Sequence, residues 1–131
     1  MSRRERTSPR VVVARPDRVR ALGNAAGFGW LDARMVRDGW LGVMTSEDLA
    51  VYVFLCLAAD RQGVSWYRRD RIRDAVSLNE RAVWQALERL EKLDLVAYQP
   101  FHRNASEGFR QVLSVPAGGP PNGLGWSGSE R

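Results

Sequence analysis

The chain has 131 residues, 44% of them hydrophobic, which suits one domain with tails and a modest core. Its formal net charge is +5 and its pI about 10.3, a balance that favours a polyanionic partner, nucleic acid before a membrane surface. The single cysteine, Cys56, excludes an internal disulfide, and the longest apolar run, Leu49 to Ala59, is 11 residues, short of the ~20 that a bilayer span needs.

Residues 1–20 are polar and interrupted by Pro9 and Pro16, with Val11-Val12-Val13 as their only apolar patch. They hold seven arginines (Arg3, Arg4, Arg6, Arg10, Arg15, Arg18 and Arg20) against Glu5 and Asp17, which accounts for the whole net charge. This composition predicts an arm that is disordered until it binds something. No apolar stretch follows the charges, so the arm does not read as a secretory signal. The remaining residues balance 13 basic against 13 acidic side chains. A phosphate-binding body must therefore gather its arginines on one face.

Residues 21–44 read as an N-terminal extension with a short helix over about 31–38, carried by Leu31, Met35 and Val36 and ended by Gly39. Trp30 and Trp40 are too apolar to leave in water. They pack either on the domain or on a second copy, which would make a homodimer through 28–44. Thr45-Ser46-Glu47-Asp48 then offers a hydroxyl cap followed by acids, and predicts a core helix from about 46 to 61. In it Cys56 reads as a small buried hydrophobe, suited to a reducing, cytoplasmic compartment.

Gln62-Gly63 stops that helix, and Val64-Ser65-Trp66 reads as a short edge strand. A second helix is expected over 67–75, then a tight turn at Ser77-Leu78-Asn79 with Asn79 as the next cap. The third helix, about 80 to 93, puts Val83, Ala86, Leu87, Leu90 and Leu93 on one face. Its other face holds Glu80, Arg81, Trp84, Gln85, Glu88 and Arg89. Leu95 to Phe101 and Phe109 to Val115 form a β-hairpin around a polar tip with His102 and Arg103. Residues 117–131, rich in Gly, Pro and Ser, read as a disordered tail.

The fold class expected is mainly α with a small β-hairpin (α+β), its domain spanning 45–116. The order of elements, and above all the stretch Ser77 to Leu95 (SLNERAVWQALERLEKLDL), resembles the winged helix-turn-helix domains of bacterial transcription factors and plasmid replication initiators. The likeness covers about residues 45–115 and implies a three-helix core plus a wing. The chain departs from the pattern in three places. Ser77 and Asp94 stand where glycine is common, and Trp84 and Glu88 occupy the recognition face.

Such a domain lays its third helix in the major groove of double-stranded DNA and reads bases from the helix's N-terminal half. Asn79, Arg81 and Gln85 are the candidates for base contact. Arg68, Arg69, Arg71, Arg73 and Arg103 are the candidates for the backbone. Arg3, Arg4, Arg6 and Arg10 of the arm could follow a minor groove. The expectation is a nucleoid-associated DNA-binding regulator, or an accessory protein of a mobile or replicating element. The alternative is a protein-contact module that uses Trp84, Trp66 and the hairpin. An enzyme is not expected. There is no metal-ligand spacing, no P-loop, no G-x-G-x-x-G and no G-x-S-x-G, Gly27-Phe28-Gly29-Trp30 is too short for a phosphate cradle, and no cofactor or membrane contact is implied.

Overall fold

The computed structural model describes residues 10–20 and 29–120. Among the described residues the architecture is mixed α+β, with four helices and one small antiparallel sheet. The helices are α1 (Arg34–Arg37), α2 (Ser46–Ala58), α3 (Arg69–Val76) and α4 (Glu80–Lys92), with single 3-10 turns at Pro16–Arg18 and Leu41–Val43. The strands are β1 (Val64–Ser65), β2 (Val96–Pro100) and β3 (Gly108–Val112), in the order β1-β3-β2.

Local chemistry accounts for most boundaries. Thr45 Oγ1 accepts from the Asp48 N–H and Asp48 Oδ2 accepts from the Thr45 N–H, both at 3.0 Å, so each residue fills an orphan donor at the start of α2. The helix ends at Ala58, three residues before the sequence expectation. Asp60 Oδ1 takes the N–H groups of Gln62 and Val64 at 2.9 and 3.0 Å, and Gly63 turns at φ +87. This local pairing outcompetes another helical turn.

Ser77 ends α3 in the left-handed region at φ 59, and Asp94 leads from α4 towards β2 at φ 63. These are two of the positions where the sequence departs from glycine. The bends are kept, with two side chains in a conformation that disfavours them.

The core joins Val51, Tyr52 and Leu55 of α2, Ile72 of α3, and Val83, Leu87 and Leu90 of α4 with Leu95, Val96 and Val112. The predicted inner face of the third helix is therefore the buried one. The segment before α2 belongs to the same core. Trp40 is fully buried, with Met35 and Val43 beside it. Of the two options for the tryptophans, the chain's own domain covers Trp40. Trp30 lies half-buried with the Arg20 guanidinium 4.1 Å over its ring. Helix α1 is only four residues long, shorter than the 31–38 expected.

The arm requires a correction. Composition predicts a segment disordered until bound throughout 1–20, but residues 10–20 lie along the domain; residues 1–9 fall outside the described residues, as do 21–28 and 121–131. The Arg15 N–H donates to Gln111 Oε1 at 2.7 Å, and Gln111 Nε2 donates back to the Arg15 carbonyl at 3.0 Å. The Ser114 N–H reaches the Arg18 carbonyl at 3.0 Å. Arg18 donates to Asp94 Oδ2, the Asp94 carbonyl, Ser114 Oγ and the Ser114 carbonyl. Counting arginines as solvated charge missed this, because their partners lie 76 to 96 residues away.

Candidate nucleic-acid interface

Helix α4 positions the candidate base readers. Asn79 is its cap, with the side-chain carbonyl accepting from the Ala82 N–H at 2.8 Å. That oxygen is therefore engaged once, and the Asn79 amide NH2 has no hydrogen-bond partner among the described residues. Arg81 and Gln85 follow on the outer face, one turn apart and both exposed. Neither has a polar partner among the described residues. Leu87, Leu90, Val83 and Ala86 seal the opposite face. Arg89 departs from the expected outer face. Its Nε lies 3.1 Å from the buried carboxylate of Asp48, which joins α4 to the first turn of α2.

The five candidate backbone arginines do not share one role. Arg68 is 70% exposed and loosely paired with Asp70 at 3.6 Å. Arg71 is exposed, and with Arg68, Trp66 and Tyr67 it borders an open cleft of about 380 Å³. Arg73 pairs with its neighbour Asp74 at 3.2 Å. Arg103 is exposed at the hairpin tip.

Arg69 is withdrawn from solvent. It lies 3.5 Å from Glu107, its backbone N–H points at the same carboxylate, and its guanidinium stacks 4.1 Å over the Trp84 ring. It braces the hairpin against α3 and α4 instead of presenting a free charge for phosphate. Of the candidate arm residues, Arg10 is exposed, while Arg3, Arg4 and Arg6 lie outside the described residues.

The hairpin is set by Gly108, where any Cβ would overlap the Gln99 carbonyl and Pro100. In β3, Arg110 and Val112 face the helices, and Phe109 and Gln111 face the other way. On that other face Phe109 packs edge-on against Phe101 and Trp66. Sequence reasoning missed Arg110, which is 5% exposed in the strand paired by Tyr98 and Ser65. Only strand alternation could have found it. Burial pushes its guanidinium pKa down, against the pull of Tyr98, Glu107 and Glu91.

Among the described residues no group of three or more His, Cys, Asp or Glu could hold a metal ion, and no helix is long and apolar enough to cross a membrane. Comparison with family models, with curated proteins and with solved structures returns no match.

Proposed function

We propose that the chain is a winged helix-turn-helix protein that binds double-stranded DNA sequence-specifically, as a transcriptional regulator or as an accessory protein of a mobile or replicating element. The supporting observation is the outer face of α4. Arg81 and Gln85 stand exposed and uncommitted at the N-terminal half of a helix whose other face is sealed in the core. The major groove admits one such helix, where Arg can take guanine and Gln adenine bidentately. Arg71 and Arg73 on the preceding helix, Arg68 at its cap and Arg103 on the hairpin tip would contact phosphates beside it. Such a role belongs to the nucleoid, in the cytoplasm. A homodimer through 28–44 would use the exposed Leu31, Val36 and Leu41, since Trp40 is already covered.

A protein-contact reading draws on the partial exposure of Trp84 (45%) and Phe101 (41%). Trp84, however, already carries the Arg69 guanidinium on one ring face. The experiment that separates the readings is a binding series on a duplex selected from a random library, and on its single-base variants. Arg81→Ala should weaken the selected site by about 1–3 kcal/mol and relax preference at one base pair. Arg71→Ala should weaken all duplexes alike. Equal weakening of every duplex by Arg81→Ala would remove base reading and favour protein contact.

A further inference from the structure

Between α4 and the hairpin lies a groove of about 210 Å³, bordered by Arg69, Trp84, Glu88, Glu91, Tyr98 and Arg110. Its two walls are alike. On one, Arg69 stacks on Trp84; on the other, the Arg110 guanidinium carbon lies 4.7 Å from the Tyr98 ring centre. The arginines differ in what else they hold. Arg69 has Glu107, whereas Arg110 is 5% exposed and its Nε and Nη1 have no hydrogen-bond partner among the described residues. A buried guanidinium keeps its charge and its five donors, and leaving such donors without acceptors is costly.

We propose that this groove binds a small, flat monocarboxylate, with the carboxylate on Arg110 and the flat body between the Trp84 and Tyr98 walls. Nε and Nη1 each share an edge of the guanidinium with Nη2, so a carboxylate engages Nη2 together with one of them, in the fork geometry that suits two oxygens. The aromatic walls favour a planar apolar body. Two glutamates at the border set the charge limit. Together with Glu107, whose charge also reaches Arg110, they oppose any anion and a dianion most, so that only the single charge of a carboxylate held directly on Arg110 is favoured over phosphate. The size is that of a one-ring ligand, since a cavity of about 150 Å³ accepts benzene. This site stands independently of DNA binding.

The test uses benzoate as the probe on the full chain, followed by NMR at the Trp84 indole N–H and the Arg110 Nε–H. Saturable shifts of both are expected, with benzyl alcohol and inorganic phosphate at least tenfold weaker. Arg110→Lys should weaken benzoate at least tenfold, because one ammonium cannot replace the fork. Trp84→Ala changes a half-exposed ring and serves as the second variant should Arg110→Lys unfold; it should weaken benzoate at least fivefold. The proposal is overturned if neither resonance moves at tens of millimolar benzoate. It is equally overturned if benzyl alcohol or phosphate binds as well as benzoate, or if the folded variants bind it unchanged.

Discussion

Arg18 is the most informative residue to remove. Its side chain is 17% exposed and reaches Asp94 Oδ2 at 2.9 Å, the Asp94 carbonyl at 3.1 Å, Ser114 Oγ at 3.0 Å and the Ser114 carbonyl at 2.6 Å. These contacts pin residues 10–20 to the end of α4 and to the strand exit. They also hold Asp94 in its left-handed conformation. A hydrogen bond to a charged group contributes about 1.5–3 kcal/mol where solvent is excluded. Asp94 is 48% exposed, so its carboxylate is well solvated without Arg18 and its share shrinks to at most about 1 kcal/mol. The Ser114 carbonyl and hydroxyl are better shielded and lose their only described side-chain donor. Together these give roughly 2 kcal/mol for Arg18→Ala, or about 10 °C in Tm for a domain of this size. The assay is urea unfolding followed by circular dichroism, with Arg10→Ala as the exposed control. A loss below about 0.5 kcal/mol would show that the docked segment contributes little, and that 10–20 behaves as the free arm its composition suggests.

Leu87→Ala should cost about 2–5 kcal/mol in the same assay, through lost transfer energy plus a cavity at the centre of the core; a cost under about 1 kcal/mol would mean that the faces of α4 are misassigned. Ser77→Gly should stabilise the protein by about 0.5–1 kcal/mol, because relief of a left-handed side chain exceeds the extra backbone entropy of glycine. A loss of stability there would contradict the strain assigned at φ 59. Burial raises the Cys56 thiol pKa above its ordinary value, so native protein should label with a disulfide reagent far more slowly than urea-unfolded protein at the same pH. Equal rates would place Cys56 at the surface.

Much of the fold could be read from the sequence, because its determinants are local. The 3–4 spacing of Val83, Leu87 and Leu90, the cap at Thr45 and the turn Ser77-Leu78-Asn79 each specify their element within a few residues. What could not be read depends on distant pairing. Arg15 and Arg18 look like solvated charge until Gln111, Asp94 and Ser114 are brought beside them. Arg69 looks like one of four equivalent cations until the hairpin delivers Glu107. The candidate site was legible on α4, where Arg81 and Gln85 are outward by helical period alone. It was not legible in β3, where Arg110 is enclosed by residues on a different strand and helix.

The most direct test of DNA binding is the salt dependence of affinity for a selected duplex, read by fluorescence anisotropy on the full chain. With about 5–8 phosphates neutralised by the exposed arginines and the N-terminal residues, log K should fall against log salt with a slope of roughly −4.5 to −7. A flat salt response, or no binding to any duplex at low salt, would contradict it.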